Sequence, residues 1–204
     1  MKFRTAGWVF AAMLTLSVAG ATQAQDQSGA VFMRFAILAL TDEDDVRHQI
    51  EDQLVTTLRA GNYDAVASYT LMPDLDSFQN GSARVQLMGQ GIQAALVMRP
   101  VDVSLNSPEA SARLRLAPEE VNSLTRFIQA YRGDDFSLGT IVQMAGFLLD
   151  SRQSNLFWHG VIWLDNPAET QQDYIDKIVD LAEFNLNQSR GAIRQQLGYP
   201  PLRQ

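Results

Sequence analysis

The sequence of 204 residues contains no cysteine. Disulfide bonds and thiolate metal sites are therefore excluded, and so is a lipid anchor attached through a cysteine at the end of an export signal. A chain without such cross-links has to be held together by a hydrophobic core. A mature chain of about 180 residues is long enough to bury such a core as one domain.

Histidine is almost as rare, because the chain has only His48 and His159. His48 falls in a predicted helix between Val46 and Ile50, which places it on or beside the exposed face. His159 falls in a predicted strand, where a surface or cross-strand position is expected. A zinc site needs further ligands, and a serine–histidine–acid triad needs three groups brought together. The sequence therefore predicts no metal-binding residue, no catalytic residue and no enzyme.

Motifs for nucleotides and nucleophiles are also missing. The chain has no P-loop and no Gly-x-Ser-x-Gly elbow. Gly89 to Ala94 fits the loose pattern G-x-G-x-x-A, but it leads from a predicted helix into a predicted strand, the reverse of the order that dinucleotide binding needs. The acidic run from Asp42 to Asp45 lacks the central glycine of a calcium-binding loop and indicates a helix start instead. No cofactor is expected.

Basic side chains are outnumbered, with 16 Lys and Arg against 23 Asp and Glu. Without Lys2 and Arg4, which precede the apolar part of the N-terminus, 14 basic and 23 acidic side chains leave a net charge of −9. Phosphate contacts depend on clustered Lys and Arg, and so does docking on anionic lipid. Nucleic acid and anionic membrane surfaces are therefore not expected as partners.

The N-terminus has the pattern of a secretory signal peptide. Met1 to Arg4 is basic, the stretch from Thr5 to Ala21 is uncharged, and small residues follow. Cleavage after Ala24 is favoured, and cleavage after Ala21 is the alternative. A transmembrane anchor is the weaker interpretation, because threonine, serine and glycine dilute a stretch that is barely long enough to span a bilayer. We expect an exported, periplasmic protein that reaches the outer membrane only through a partner.

The predicted organisation is a single α/β domain with a mixed sheet. The segments are a signal peptide (1–24), a flexible leader (25–30), the domain itself (31–197) and a C-terminal tail (198–204).

The domain is predicted to open with a β-α-β unit. Val31 to Leu40 is nearly continuous apolar sequence, typical of a strand buried on both faces. Thr41 and the acids after it predict a helix start, and Gly61 predicts its end. Apolar residues at four-residue spacing form one stripe along this helix (Val46, Ile50, Leu54 and Leu58). Ala65 to Leu71 predicts a second, parallel strand.

A late hairpin and a terminal helix are predicted to complete the fold. The further elements are a loop at Asp74–Ser82, a short helix at Ala83–Gln90, a strand at Ala94–Leu105, a helix from Pro118 to Arg132, hairpin strands at Gly139–Leu149 and Leu156–Leu164, and helical sequence at Pro167–Leu197. Alternation in the hairpin predicts that Val142, Met144 and Leu148 face the helices, and that Gln143 marks the more exposed face.

Several stretches carry a resemblance to a known family: Val46 to Leu58, Tyr63 to Pro73 (YDAVASYTLMP), Ala94 to Val103 (AALVMRPVDV), and Leu148 to Asp150 followed by Asn155 to Gly160. They resemble a family of small exported bacterial proteins, many of them lipoproteins, known mainly as domains of unknown function. The layout is more distantly similar to the periplasmic domain of the curli secretion channel and to the TolB amino-terminal domain. The chain departs from the family in two ways. It has no lipobox cysteine, and its segment from Ser104 to Asp135 does not match.

The resemblance implies a module for binding and assembly. We therefore expect a non-enzymatic periplasmic domain of the cell envelope that engages another envelope protein or itself. The alternative is a periplasmic protein that binds a small ligand or a peptide, and a hydrolase is third. An open sheet edge or an exposed apolar patch would favour the first. A deep pocket with convergent polar groups would favour the second, and a histidine touching a serine and a carboxylate the third.

Overall fold

In the computed structural model, the described residues are 33–61, 63–72, 78, 81–102, 123–134, 136, 140–149, 154–163 and 170–196. The predicted signal peptide, leader and tail lie outside them, as do most of the predicted loop at 74–82 and the first part of the helix predicted from Pro118. Residues 31–204 belong to one compact unit.

The fold is α/β, built on one mixed sheet of five strands in the order β2-β1-β3-β4-β5. The strands are β1 (Arg34–Ala39), β2 (Asp64–Ala67), β3 (Ala94–Asp102), β4 (Thr140–Leu149) and β5 (Ser154–Trp163). Strand β1 is parallel to both β2 and β3, whereas β3–β4 and β4–β5 are antiparallel. The predicted β-α-β opening and late hairpin are confirmed.

Two long helices share one face of the sheet. They are α1 (Asp44–Ala60) and α4 (Gln171–Gln196), which pack on each other and bury the apolar stripe of α1. Helix α1 begins two residues later than predicted, because the Thr41 hydroxyl accepts from the backbone N–H of Glu43 at 3.2 Å and Glu43 becomes the N-cap. None of the helices in the described ranges is long and apolar enough to cross a bilayer.

Two short helices cover the other face. They are α2 (Ala83–Gly89) and α3 (Leu124–Gln129), and they pack on alternate residues of β1, β3 and β4. Phe78, Phe127 and Phe147 are among the largest fully buried side chains of this layer. The two long helices could have left this face open for a partner, but α2 and α3 close it over the centre of the sheet.

The hairpin has the predicted register, with one exception. Val142 and Met144 are fully buried on the α1/α4 side, and Leu148 packs against the same cluster. Gln143 was predicted to mark the more exposed face, and this is wrong, because Gln143 is fully buried. Its Oε1 accepts from Nε of Arg99 at 2.9 Å, and a second donor of that guanidinium reaches the carbonyl of Phe127 at 3.0 Å. A buried amide is tolerated when it is hydrogen-bonded in this way.

The second strand is shorter than predicted. It ends at Ala67, and a 3-10 turn at Ser68–Thr70 replaces the predicted continuation to Leu71. The turn forms where Oγ of Ser68 and the backbone N–H of Tyr69 both donate to the Glu51 carboxylate. A side chain on α1 therefore ends the strand.

Candidate functional site

The outer edge of the sheet at β5 is long and carries no charge. Strand β5 pairs with β4 and has no second neighbour among the described strands. Its ten residues, SNLFWHGVIW, include no Asp, Glu, Lys, Arg or Pro. Natural proteins usually protect such an edge with charges, proline or shortness, because its free N–H and C=O groups pair readily with another strand. Strand β5 has none of these three protective features.

The opposite edge of the sheet provides a comparison within the same molecule. Strand β2 has only four residues and begins at the exposed Asp64. The Asp64 carboxylate lies 3.8 Å from the Arg34 guanidinium on β1. The β2 edge is therefore protected by its short length and by its charges, whereas the β5 edge has neither protection.

Three exposed side chains alternate along one face of β5. They are His159, Val161 and Trp163, with exposed fractions of 46% for Val161 and 45% for Trp163. Their neighbours across the ladder on β4 are fully or almost fully buried (Ala145, Gln143 and Ile141). At these three positions, the boundary between covered and uncovered sheet therefore runs between β4 and β5. We call these three side chains the β5 patch.

The other face of β5 is fixed firmly to α4. The indole of Trp158 lies over Gly160, where an added Cβ would come within 2.8 Å of Cζ2 of that ring. Nε1 of the same indole donates to Oγ of Ser189 on α4 at 2.9 Å. Ile162 is buried in the same layer. These contacts hold β5 against α4.

A β-bulge sets which side chains of β5 face outward. The ladder shifts between Gly146 and Phe147, so that Trp158 stands opposite the first and Leu156 opposite the second. Phe157 is the extra residue, and its ring occupies the space over Gly146. Alternation alone does not account for this extra residue, which is why the sequence could not tell which of the hairpin's aromatic residues is exposed.

A second cluster, buried beneath the carboxyl ends of β1 and β2, consists of Arg47, Glu51 and Ser68, all without solvent exposure. Nε of Arg47 donates to Oε1 of Glu51 at 3.1 Å, and Oγ of Ser68 donates to the same oxygen at 2.8 Å. The Arg47 guanidinium also donates to the carbonyl of Met72 at 3.0 Å and lies 5.6 Å from the centre of the Phe78 ring. These contacts tie α1 to the chain after β2.

The Glu51 carboxyl has a raised pKa. Burial raises its pKa above the ordinary value, while the Arg47 guanidinium and the N–H groups of Ala39 and Tyr69 act against that rise. Every atom of the cluster is sealed from solvent, so no substrate could reach it. Its role is structural, and sequence reasoning missed it. The available signal was the i, i+4 spacing of Arg47 and Glu51 beside the apolar stripe.

Both histidines lie at the surface, as predicted. The His48 ring stacks on Tyr69 with centroids 3.9 Å apart, and the Tyr69 hydroxyl donates to Oδ1 of Asp52 at 2.7 Å. Within the described ranges, neither histidine hydrogen-bonds a serine or a carboxylate, and no three His, Asp or Glu residues are close enough to hold a metal ion.

Replacing His48 with alanine should therefore have little effect on the fold. The ring is exposed and its one ring contact is with Tyr69, so we expect the free energy of unfolding to change by at most about 0.5 kcal/mol. Chemical denaturation of both proteins measures this. A loss several times larger would mean that His48 makes a stabilising contact other than its stacking on Tyr69.

An apolar crevice lies between the sheet and the α1/α4 layer. It has an empty volume of about 340 Å³, including space open to solvent. Its lining is almost wholly carbon and contains two edge-to-face aromatic contacts, Phe35 with Tyr63 and Phe35 with Phe157. The remaining lining residues are Leu58, Leu96 and Leu186. Among the described residues around it, no convergent polar groups face into the crevice, so this lining does not have the features expected of a polar-ligand site.

Comparison of the chain with protein-family models, with curated proteins and with solved structures finds no match.

Proposed function

We propose that this protein is a non-enzymatic binding and assembly domain of the bacterial cell envelope, which engages another envelope protein or a second copy of itself through β5. The observation that carries the proposal is the uncharged ten-residue edge of β5 beside the exposed side chains of Val161 and Trp163. An extended segment that pairs with such an edge gains main-chain hydrogen bonds, and the side chains beside it provide specificity.

Export to the periplasm is part of the proposal. It is supported by the basic start, the uncharged stretch and the small-residue exit of residues 1–24, and by the family resemblance of residues 63–73, 94–103 and 148–160. Mature protein beginning at Gln25 is the expected form. A cysteine-free chain is also suited to an oxidising compartment, since it has no thiol that could form a wrong disulfide.

Binding of a peptide is the second candidate, and the same edge supports it. A short extended peptide would use the same free N–H and C=O groups as a strand of a folded partner. The two candidates differ in the lifetime of the complex, because a peptide ligand is exchanged whereas an assembly partner stays attached.

The test is a single charge placed in the β5 patch. Replacing Val161 with lysine puts an ammonium group where a partner strand would cover it. Burying an unpaired charge there costs more than about 1.4 kcal/mol, so we expect recovery of the partner to fall about tenfold or more. The measurement is cross-linking of the tagged full chain in its native envelope fraction, followed by mass spectrometry of the captured proteins.

Replacing Val85 with lysine provides the matched control. Val85 lies on α2, is 62% exposed and is not part of β5. The Val85 variant should capture the same proteins as the unchanged chain. If the Val161 variant also captures them in the same amounts, β5 is not the binding surface and the proposal fails.

A further inference from the structure

We propose that the occupant of the β5 edge is a second copy of this chain, paired antiparallel through β5 about a two-fold axis that passes beside Val161. The inference rests on the proposed function, because it names the partner of that same edge. Two five-stranded sheets would then join into one continuous sheet of ten strands.

Charge is the first argument for a second copy. Each mature chain, beginning at Gln25, carries a net charge of −9, so two copies repel each other over most of their surface. The exception is β5, which has no charged side chain along its whole length. At that edge two copies can come into hydrogen-bonding distance without opposing any like charges on the strands. An unlike partner could use charge pairs for recognition, and β5 offers none.

Symmetry determines the direction of the strands. In a closed dimer both copies use the same patch, and each residue contact occurs twice. A two-fold axis perpendicular to the sheet turns β5 of one copy antiparallel to β5 of the other. It also keeps the α1/α4 layer of both copies on the same side. The joined sheet continues the antiparallel pattern of β3, β4 and β5.

The register follows from the alternation of side chains after the bulge. From Trp158 to Trp163, the odd-numbered residues carry the β5 patch and the even-numbered residues face α4. Residues directly opposite one another share a face, so only pairs of equal parity are allowed. Val161 opposite itself brings His159 against Trp163 of the second copy. All three exposed side chains then contact one another across the axis.

Two competing registers are equally near. Ile162 opposite itself would bring Val161 against Trp163 but would leave His159 without a partner from the β5 patch. The other register places Gly160 opposite itself. It would bring Trp163 against Phe157, which belongs to the irregular position of the ladder and is buried in the core. The exposed indole would then have no partner on its own face. The register centred on Val161 is therefore the one that covers the whole β5 patch.

Cysteine cross-linking tests both the dimer and its register, because the unchanged chain has no cysteine. Directly opposite residues have Cβ atoms about 4.5–5.5 Å apart, close to the separation in a disulfide. The Val161→Cys protein should therefore form a disulfide-linked dimer in most of its molecules under mild oxidation. His159→Cys and Trp163→Cys should each stay mainly monomeric alone and cross-link when mixed.

Val85→Cys is the control for random collision, because that side chain is at least as exposed. Circular dichroism of each variant checks that the fold is retained. Val161→Cys dimers no more abundant than Val85→Cys dimers would overturn the inference. Efficient cross-linking of His159→Cys alone, without that of Val161→Cys, would overturn the register.

The inference and the proposed function can fail separately. If the purified protein sediments as a monomer while Val161→Lys still abolishes capture of a different envelope protein, the second copy is wrong and the proposed function stands. If Val161→Lys changes neither capture nor sedimentation, both are wrong.

Discussion

Replacing Arg47 with methionine should lower the free energy of unfolding by about 3–5 kcal/mol, because it leaves the Glu51 carboxylate buried without its counter-charge. Both side chains are fully buried, and their charged groups lie 3.1 Å apart. The substitution also removes the donors that hold Oγ of Ser68 and the carbonyl of Met72. Urea denaturation followed by circular dichroism measures the loss.

The pH dependence of the stability of the Arg47→Met protein shows whether the unpaired Glu51 carboxylate causes the loss. Arg47 is the strongest influence that lowers the raised pKa of Glu51, so its removal raises that pKa further. When the pKa of a carboxyl is higher in the folded protein than in the unfolded protein, the free energy of unfolding falls as the pH rises from the unfolded pKa to the folded pKa. The deficit should therefore be larger at neutral pH than at acidic pH, and it should shrink as the pH falls from the raised pKa of the buried carboxyl towards the ordinary pKa of a glutamate.

Two further variants separate charge from packing. Arg47→Met combined with Glu51→Gln should be less destabilised than Arg47→Met alone, because glutamine carries no charge and keeps an oxygen that can accept from Ser68 or Tyr69. Arg132→Met, at an exposed position, should change stability by at most about 0.5 kcal/mol. If Arg47→Met is as stable as the Arg132 variant, the cluster does not hold α1 to the chain after β2.

Replacing Gly146 with alanine should cost about 1–3 kcal/mol, because the new methyl group meets a ring that has to move. A Cβ at this position would lie 2.5 Å from Cζ and 2.8 Å from Cε2 of Phe157. That ring is buried and packs edge-to-face against Phe35 with centroids 6.2 Å apart. Thermal and denaturant unfolding measure the loss.

Gly191→Ala serves as the control, because we expect it to change stability in the opposite direction. Gly191 lies within α4, and nothing in the described part of the chain, apart from its own helix turn, lies within 4 Å of the Cβ it would gain. Alanine there should raise stability by up to about 1 kcal/mol, because glycine is the poorer helix former. Equal effects of the two substitutions would mean that Phe157 does not occupy the space over Gly146.

Local patterns in the sequence were enough to predict the β-α-β opening. The apolar run before Thr41 and the stripe from Val46 to Leu58 each depend only on neighbours along the chain. The hairpin alternation also placed Val142 and Met144 correctly. These features need no knowledge of which distant segments meet.

The burial of polar side chains could not be predicted in this way. Gln143 was assigned to the exposed face because it is polar, and its burial depends on Arg99, which lies 44 positions earlier in the chain. Glu51 is buried because the chain after β2 returns across it. Pairings of this kind are set by tertiary packing, which hydrophobic periodicity does not contain.

The candidate site was predictable only in part. The sequence identified the hairpin and its aromatic residues, but the outer position of β5 depends on β3 pairing with β4 across about 40 residues. The bulge at Phe157 then decides that Trp163 is exposed while Trp158 packs towards α4. The edge could be recognised as unguarded only after its place in the sheet was known.

Hydrogen–deuterium exchange of β5 in the free and associated protein tests the central claim most directly. In the free protein, alternate amides of Ser154–Trp163 point away from β4 and should exchange fast. In the cross-linked dimer, or in the complex captured from the envelope, these amides should exchange more slowly by about tenfold or more, because a second strand pairs with them. The amides of α2 should not change. If the associated protein shows slower exchange elsewhere while β5 is unchanged, the edge of β5 is not where this protein binds its partner.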